Sequence, residues 1–433
     1  MHRRTFLRRQ LATASLLAWQ PYELLARFRL SPYAIRDVKI TDIKIHRLQA
    51  TRQGKERTRQ GSVKPIHIYP DQQPAPYQKV ENPQDTTYTY TAHYLTIETN
   101  DKIEGLYGPI DAEVVPVINR QLTRFLIGKN PLAGERIWDQ LYRLNRHARS
   151  GHYMMAISAI DNALWDIRGK YFEAPVYQLL GGPTRESVPV YASTLGRSVQ
   201  PEDIQATAQD FQKKGFTAQK WFIPYGSGNG NKGLQFNIDL VKQLRQAVGE
   251  NTDLMFDAFS GWDLPYAIRW AKAVEPFHPR WIEEAFLMEE LDSFVKLRQQ
   301  TSVPIATGEH FYNRWQVQRF LEAGAISVVQ ADPEWCGGVS ELTKICTIAS
   351  AYGAQVIPHG HNLHAALHVV ASQSPSVCPM GEFLYDKMQG YYYFEQEELQ
   401  PVNGSITLPD KPGFGLSWDE SKIEEKELVM NDG

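Results

Sequence analysis

The chain has 433 residues, enough for two or three ordinary domains unless one of them is a barrel, which needs about 250 residues by itself. Hydrophobic residues make up 42% and charged residues 22% of the chain, a composition that excludes wholesale disorder. The net charge of −3 argues against a nucleic-acid-binding protein that neutralises phosphates, and three cysteines are too few for a disulfide framework.

Residues 1–37 are predicted to begin with a targeting signal. Arg3 and Arg4 open a basic stretch, Phe6 follows, and a short apolar run ends at Trp19. The run is shorter than the roughly 20 apolar residues that span a bilayer, and a charged segment before such a run is typical of a signal peptide. The paired arginines resemble a twin-arginine signal, which exports folded proteins; an amphipathic N-terminal helix is the alternative. We therefore expect a periplasmic or otherwise exported bacterial protein, or a cytoplasmic one if the signal is not functional.

Residues 38–186 are predicted to form an α+β capping domain. Apolar and polar residues alternate along 38–49, which indicates a strand, and two apolar runs flank a hairpin at residues 100–101. Residues 112–170 have helical patterns. The segment 51–91 is polar and rich in proline, and loops of this length are usually functional lids or disordered. We predict that it is a lid that selects the substrate.

Residues 187–386 contain a repeated pattern of short apolar runs separated by helix-length segments. This alternation predicts βα units and a parallel sheet, and eight strands close a barrel. The final residues, 387–433, are expected to return to the cap. The predicted fold class is α/β: a modified (β/α) TIM-type barrel with an α+β N-terminal capping domain completed by the C-terminal tail. The eight runs are 188–194, 216–222, 253–259, 281–286, 304–310, 326–332, 354–360 and 378–386.

Acidic residues stand at the ends of three consecutive predicted barrel strands. Asp257, Glu283 and Glu309 follow one another at intervals of 26 residues. Barrel active sites form at the carboxyl ends of the strands, so the three carboxylates are expected side by side on one rim. Oxygen ligands without thiolates suit Mg²⁺. Any one of these residues alone could equally be a helix cap or lie in a solvated loop.

A histidine and an aspartate end the next two predicted strands. Asp332 ends the sixth strand and His359 the seventh. A carboxylate beside an imidazole fixes its tautomer and stabilises the imidazolium, which is the usual arrangement of a general base. Because the pair lies across the barrel mouth from the predicted metal site, we interpret it as catalytic rather than as part of a loop.

These residues stand in segments that together resemble the enolase superfamily, in its mandelate racemase-like branch. The resemblance implies Mg²⁺ on the three carboxylates, a His359–Asp332 dyad that removes a proton α to a carboxylate, and a homo-oligomer. It also implies that Glu382 acts as a hydrogen-bond donor or electrophile and that Glu284 supports the metal ligands. The matching segments are AISAIDNALWDIRGK (156–170), PVYQLLGG (175–182), MFDAF, WIEEAF, ATGEH, VVQADPEWCGG and IPHGHN.

The second predicted barrel strand departs from the pattern of this branch. Many of its members carry Lys-x-Lys there, with the second lysine as a base on the opposite face of the substrate. Here Lys220 is followed two residues later by Phe222, which cannot take a proton. A racemase with bases on both faces is therefore disfavoured, and a reaction with His359 as the one base is favoured. Lys220 is left to contact the substrate carboxylate or to adjust the field at the metal.

Among one-base members, the chain is most similar to sugar-acid dehydratases of the rhamnonate type. The similarity lies in His310 directly after Glu309 and in the DPEWCGG segment. Those enzymes remove the C2 proton and the C3 hydroxyl of an aldonic acid to give a 2-keto-3-deoxy acid. The leaving hydroxyl needs a proton, for which His359, His310 and His67 in the lid are candidates. His361 is interpreted either as part of a helix face or as a substrate contact.

Two alternative functions fit the same residues. An epimerase, racemase or cycloisomerase would use the same metal and the same enediolate. An exported sugar-acid-binding protein would keep the scaffold without turnover. In each case the expected partner is a small sugar acid, with no nucleic acid and no membrane contact beyond export.

Overall fold

A computed structural model describes residues 37–56, 58–73 and 77–429 of the chain. The predicted signal segment lies outside the described residues, apart from Asp37 at its end. Among the helices of the described part, none is both long and apolar enough to cross a membrane.

Four antiparallel strands form the sheet of the cap, in the order β13-β1-β2-β3. The predicted hairpin is present as β2 and β3, and helices Gly134–Leu144 and His152–Tyr171 complete the cap. The second helix packs directly on β3, because Gly105 has no side chain: a Cβ there would lie 2.5 Å from the carbonyl oxygen of Ala163. The four strands are Ile40–Lys55 (β1), Asp85–Thr99 (β2), Glu104–Ile110 (β3) and Glu425–Leu428 (β13).

Eight parallel strands form a second sheet, in the order β10-β9-β8-β7-β6-β5-β4-β11. The first and last of these strands in the chain pair with each other, so the sheet curls into a barrel. Within the described residues no backbone ladder joins β10 to β11. Each strand overlaps one of the eight predicted runs, and the predicted fold class is confirmed. The strands are Ser187–Ser193 (β4), Ala218–Phe222 (β5), Asp253–Asp257 (β6), Trp281–Glu283 (β7), Ile305–Thr307 (β8), Val328–Val329 (β9), Gln355–Val356 (β10) and Gly381–Leu384 (β11).

A helix follows each of the first seven barrel strands. Three of these helices begin with a side-chain cap, in which Asp263, Asn313 or Asn362 accepts a hydrogen bond from a backbone N–H of the first turn. The helices are Pro201–Lys213, Gly230–Val248, Leu264–Val274, Leu291–Gln300, Arg314–Glu322, Gly338–Ala351 and Leu363–Ser372. Because Asn362 caps the last helix, His361 precedes that helix and does not lie on its face.

Alternation along the strands carries functional side chains to the barrel mouth. A separate buried cluster includes Ala218, Met255 and Trp281 in the barrel interior. Side chains two residues further along a strand point to the same face. The next inward-facing side chains, one step closer to the barrel mouth than this apolar layer, are therefore those of Lys220, Asp257 and Glu283.

The lid is shorter than the sequence indicated. The ladder between β1 and β2 extends to the pair Lys55 and Asp85, so residues 51–55 and 85–91 are strand. The alternating threonines and tyrosines of the second stretch favour a strand, a signal that the neighbouring prolines outweighed in the prediction. The remaining lid is attached to the barrel, because the Val63 N–H donates to the carbonyl oxygen of Ile223, 2.9 Å away.

The C-terminal tail contacts both parts of the molecule. Its strand β12, Ser405–Thr407, pairs with β4 of the barrel, and β13 pairs with β1 of the cap. The tail therefore holds the cap against the barrel, in agreement with its predicted return.

Candidate active site

Asp257, Glu283 and Glu309 meet at the mouth of the barrel. Asp257 and Glu283 end the neighbouring strands β6 and β7 and stand in register, and Glu309 lies two residues beyond β8. One carboxylate oxygen from each of the three lies within 4.8 Å of the other two. All three residues are buried, with at most 6% of Glu309 exposed. The predicted metal ligands are thus within reach of one ion.

The protonation of the three carboxyl groups fits a cation site. Burial raises the pKa of Asp257 to about 7, of Glu283 to about 8 and of Glu309 to about 7. Lys220 partly offsets this effect, whereas repulsion among the carboxylates adds to it. The pKa values stay elevated although Lys220 is present, so the cluster has more carboxylate than positive charge, and oxygen donors of this kind match the preference of Mg²⁺. The residues present therefore fit the metal predicted from the sequence.

Lys220 supplies one positive charge beneath the cluster. Its ammonium group is completely buried and forms ion pairs with Glu283, with Asp257 at 3.3 Å and with Glu382 at 2.9 Å. These three carboxylates surround the Nζ atom. Of the two predicted roles for Lys220, the geometry fits adjustment of the field at the metal and gives no support to a substrate contact.

His359 and Asp332 form the predicted hydrogen-bonded pair. The distance from His359 Nδ1 to Asp332 Oδ2 is 2.7 Å, and His359 Nε2 lies 3.7 Å from Glu309 Oε2. Burial lowers the pKa of the imidazole, but Glu309 and Asp332 outweigh burial and raise it to about 10. Because Asp332 holds Nδ1, Nε2 is the nitrogen that faces the carboxylate cluster and is placed to exchange a proton there.

His310 reaches the site because the chain turns at Gly308, whose φ is +119°. Its Nδ1 lies 3.0 Å from Glu284 Oε1 and 3.6 Å from Glu309 Oε1. Burial lowers its pKa, but the hydrogen bond to Glu284 and the nearby negative charges raise it to about 9. Glu284, Glu309 and His310 thus form a second group of potential metal ligands, which shares Glu309 with the first.

Glu382 differs from the sequence-based expectation. Its Oε1 forms an ion pair with Lys220 Nζ at 2.9 Å, and its Oε2 accepts from the Gly360 N–H at 3.0 Å. Burial raises the pKa of Glu382, but the charges of Lys220 and His359 outweigh burial and lower it to about 2. The carboxylate is therefore ionised and accepts hydrogen bonds, so this geometry does not support the expected hydrogen-bond donor or electrophile.

A second hydrogen-bonded chain runs beside the dyad. His361 Nε2 lies 2.8 Å from Asp111 Oδ1, and Lys387 Nζ lies 2.9 Å from His361 Nδ1. A lysine ammonium can only donate, so Nδ1 accepts and Nε2 carries the proton that goes to Asp111. The backbone N–H of His361 also donates to Asp332 Oδ2 at 3.2 Å.

An indole ring lies against three imidazoles of the site. Trp335 is stacked with His310 at a centroid distance of 5.3 Å, and lies 4.9 Å from His359 and 5.0 Å from His361. The indole therefore packs against one imidazole of each hydrogen-bonded chain. Trp335 belongs to the DPEWCGG segment, so its position in the sequence was a usable signal that we did not interpret.

His67 and Phe222 complete the predicted residues. His67 is buried in the lid turn Pro65–Ile68, and its Nδ1 accepts from the Lys64 N–H at 3.0 Å. Its described hydrogen bond is inside the lid, and none of its described contacts joins it to the carboxylate cluster. The Phe222 ring ends β5, with its centroid 5.3 Å from Lys220 Nζ. An aromatic ring thus occupies the position where a second base would stand.

Asp111 and Lys387 were missed in the sequence analysis. Asp111 lies directly after β3 of the cap, and Lys387 lies in the short helix Tyr385–Met388 after β11. The only sequence signal was their position at the end of a strand, because the histidine that joins them is 250 residues from one and 26 from the other.

Comparison with protein families assigns both parts of the chain. The family model described as "Enolase C-terminal domain-like" matches residues 203–422, and the model of the "Mandelate racemase / muconate lactonizing enzyme, N-terminal domain" matches residues 77–181. An L-rhamnonate dehydratase of Saccharopolyspora erythraea is 35% identical over 309 residues, which cover 69% of this chain and 76% of that protein. A protein of Caldivirga maquilingensis, named a putative L-rhamnonate dehydratase, is 35% identical over 315 residues, with coverage of 71% and 76%.

Solved structures with the same fold include enzymes of two kinds. The L-rhamnonate dehydratase of Gibberella zeae has a TM-score of 0.75 at 26% identity, covering 90% of this chain and 96% of that one. A structure of the enzyme from that organism in complex with Mg is similar at 25% identity, with a TM-score of 0.75 and coverage of 90% and 97%. The 3,6-anhydro-D-galactonate cycloisomerase of Zobellia galactanivorans has a TM-score of 0.70 at 27% identity, covering 89% and 100%.

Proposed function

The chain belongs to the enolase superfamily, in the mandelate racemase and muconate lactonizing enzyme family, and on this premise we propose that it is a Mg²⁺-dependent hydro-lyase that converts an aldonic acid into a 2-keto-3-deoxy acid. The observation that carries the proposal is the asymmetry of the barrel mouth. The His359–Asp332 pair faces the carboxylate cluster from one side, whereas Phe222 stands where a second base would be needed. One base suffices for an elimination, and two relatives that match over two thirds of the chain carry the name L-rhamnonate dehydratase, one of them as a putative one.

Asp257, Glu283 and Glu309 are the residues that would hold the metal. A bound Mg²⁺ would supply positive charge against the negative charge that develops when a proton α to a carboxylate is lost. The ammonium group of Lys220 forms ion pairs with Asp257 and Glu283, and its positive charge offsets part of their negative charge.

His359 accepts the C2 proton of the substrate at Nε2. Asp332 binds the Nδ1–H, which leaves Nε2 as the free acceptor and stabilises the imidazolium that forms. Glu309 sets the basicity of His359, because its negative charge raises the pKa of the imidazole. A cation bound at Glu309 would neutralise that charge, lower the pKa of His359 again and bring it closer to the range of a base at neutral pH.

A cycloisomerase is the second candidate, favoured by the full-length match to the 3,6-anhydro-D-galactonate enzyme. On a substrate whose C3 oxygen belongs to an anhydro ring, removal of the C2 proton by His359 would expel the ring oxygen and no water would be lost. The product would then be an isomer of unchanged mass. The catalytic residues would be the same, so only the substrate distinguishes the two activities.

A screen of sugar acids tests the proposal. The chain is incubated with Mg²⁺ and a library that contains L-rhamnonate, other aldonates and 3,6-anhydro-D-galactonate, and the products are analysed by mass spectrometry. Loss of one water with formation of a 2-keto-3-deoxy acid supports the dehydratase, and an isomer of unchanged mass supports the cycloisomerase. Binding of an aldonate without solvent deuterium exchange at C2 would contradict both and favour a binding protein.

We expect Mg²⁺ to raise the melting temperature more at pH 8 than at pH 6. The pKa values of Asp257, Glu283 and Glu309 are raised to about 7, about 8 and about 7, above the values of about 4 expected in the unfolded chain. Because the folded protein binds these protons more tightly than the unfolded chain does, they contribute to the free energy of unfolding. This contribution is complete below pH 4 and is lost as the pH rises through 7 to 8. Because metal binding requires the deprotonated ligands, Mg²⁺ restores most stability where those protons are lost.

The measurement is thermal unfolding with EDTA or with Mg²⁺ at the two pH values. Asp257→Asn serves as the control, since it removes one of the three titrating ligands and should reduce the difference between the two pH values. An equal or larger Mg²⁺ effect at pH 6 would contradict the expectation.

Export through the twin-arginine route is also part of the proposal. Replacement of Arg3 and Arg4 by lysine keeps the charge and removes the paired guanidinium groups. We expect this variant to accumulate inside the cytoplasm, and cell fractionation of a bacterial host measures the outcome. Periplasmic accumulation equal to that of the unaltered chain would remove the assignment.

A homo-oligomer, as the family resemblance implies, would appear in light scattering of the purified protein.

A further inference from the structure

Asp111, His361 and Lys387 form a hydrogen-bonded chain that none of the steps above uses. We propose that this chain is a second acid–base system of the active site, in which Lys387 donates a proton to the oxygen that leaves C3 of the substrate. The inference rests on the proposed function and extends it, since it names the acid that the elimination requires.

This series of hydrogen-bonded side chains joins three parts of the molecule at the barrel mouth. Asp111 comes from the cap, His361 follows β10 of the barrel, and Lys387 follows β11. His361 donates to Asp111 through Nε2 and accepts from Lys387 through Nδ1, at 2.8 and 2.9 Å. Asp111 therefore orients the imidazole, and the imidazole orients the ammonium group.

Lys387 is held firmly but keeps a donor available. Both of its described hydrogen bonds go to His361, one to Nδ1 and one to the carbonyl oxygen, each 2.9 Å long. An ammonium group has three N–H donors, so these bonds leave a third. Lys387 also lines a cavity of about 1430 Å³ at the rim of the barrel, which gives solvent a route to the amine.

The surroundings of Lys387 suit a proton donor at neutral pH. Burial lowers its pKa to about 8, and the carboxylates that face it from the cap and the barrel oppose this shift only in part. These carboxylates are Asp111, Asp332, Glu334 and Glu382, and the Tyr391 ring lies 4.5 Å from the Nζ atom. A group with a pKa near the working pH both gives up and regains a proton readily.

The hydrogen-bonded series Asp111–His361–Lys387 shares a carboxylate oxygen with the base His359. Oδ2 of Asp332 accepts from the backbone N–H of His361 at 3.2 Å, and it also binds the ring nitrogen Nδ1 of His359 at 2.7 Å. The two imidazoles also lie against the same indole, that of Trp335. Acid and base are thus positioned from one point of the barrel mouth.

Other candidates for the acid are engaged elsewhere. Lys220 is surrounded by three carboxylates, which raise its pKa well above its ordinary value although burial opposes them. His310 is bound to Glu284, and the described hydrogen bond of His67 lies inside the lid. His359 would have to serve as base and acid in the same turnover.

The proposed step is balanced as follows. The C2–H bond breaks and its proton passes to His359 Nε2, a double bond forms between C2 and C3, and the C3–O bond breaks with its electron pair on oxygen. Lys387 Nζ gives a proton to that oxygen, which leaves as water. The resulting amine regains a proton from solvent, and the protonated His359 releases the C2 proton to solvent. The enol product then tautomerises to the 2-keto-3-deoxy acid.

Lys387→Met tests the step through the leaving group. The probes are L-rhamnonate and 3-deoxy-3-fluoro-L-rhamnonate, or the matching pair for whichever aldonate is turned over in the screen. Fluoride leaves without a proton, so we expect the variant to lose about 10²- to 10⁴-fold in dehydration but to retain fluoride release and C2 deuterium exchange. Lys411→Met, at an exposed lysine paired with Glu397, is the matched control and should retain all three rates.

Two results would overturn the assignment of Lys387. One is a parallel loss of exchange, dehydration and fluoride release in Lys387→Met, and the other is dehydration at the unaltered rate. Inactivity of the unaltered protein on every sugar acid would instead overturn the proposed function itself, which separates the two failures.

A readout without substrate is the titration of the lysine amines by competitive acetylation and mass spectrometry. We expect Lys387 to titrate near pH 8 and, in Asp111→Asn, at a lower pH, because Asp111 is the charge that most supports the ammonium form. Lys411 gives the reference for an exposed amine. Titration of Lys387 near the ordinary value of about 10.4 would contradict the proposal.

Discussion

His359→Asn is expected to abolish exchange of the substrate C2 proton with solvent deuterium while Mg²⁺ binding remains intact. Asparagine can still donate to Asp332, but it has no nitrogen that accepts a proton at the position of His359 Nε2. Loss of a general base costs about 10²- to 10⁴-fold, which would place exchange near the detection limit. Proton NMR in deuterium oxide measures the exchange, and calorimetric titration measures the metal.

The matched control for this variant is His364→Asn. His364 is also a buried histidine bound to a carboxylate, Glu395 at 2.8 Å, but it lies on the helix Leu363–Ser372 and none of its described contacts reaches the carboxylate cluster. Both substitutions disturb a buried pair, so a general loss of stability would affect them alike. Only His359→Asn should lose exchange. Retained exchange in that variant would remove His359 from the role of the base.

The barrel and most of its mouth could be predicted because strand order determines where strand ends lie. Asp257, Glu283 and Glu309 recur every 26 residues, and each βα unit adds a neighbouring strand to the sheet. The spacing therefore carries three-dimensional information. For the same reason Asp332 and His359, at the ends of adjacent strands, were expected to meet.

Features that depend on local backbone conformation were less accessible. His310 reaches Glu284 only because Gly308 adopts a positive φ after a strand of three residues, and a strict alternation along the strand would have directed it away. The lid was predicted too long, because the proline-rich middle of the segment concealed two arms that pair in a regular ladder.

Contacts between distant segments could not be predicted at all. Asp111 and Lys387 are brought to His361 by the packing of the cap and of the tail on the barrel. Apart from its position after a strand, nothing in the sequence near either residue distinguishes it from a surface charge. The same applies to Glu382, whose ionised state follows from its three-dimensional neighbours Lys220 and His359 rather than from its position at a strand end.

Glu309→Gln is expected to weaken Mg²⁺ binding by at least 10- to 100-fold, since changes even behind the ligands of a metal site have effects of that size. Glutamine keeps the shape of the side chain but removes one of the negative charges that attract the cation. Because Glu309 is also the largest influence that raises the pKa of His359, the pKa of the histidine should fall in the same variant. Calorimetric titration measures the metal, and NMR of the imidazole measures the pKa.

Glu309 alone cannot identify the ligand set, because it belongs to both groups of potential ligands. Asp257→Asn and Glu284→Gln separate them. If Asp257, Glu283 and Glu309 hold the ion, Asp257→Asn loses affinity as Glu309→Gln does, whereas Glu284→Gln retains most of it. Glu341→Gln provides the control, since Glu341 is a fully buried carboxylate paired with Arg314 outside the site.

The opposite pattern would move the ion to Glu284, Glu309 and His310. The metal would then lie on the side of Trp335 and His310, and Lys220 would balance Asp257 and Glu283 without an ion beside them. Unchanged affinity in both Glu309→Gln and Asp257→Asn would refute the assignment of the carboxylate cluster as the metal site.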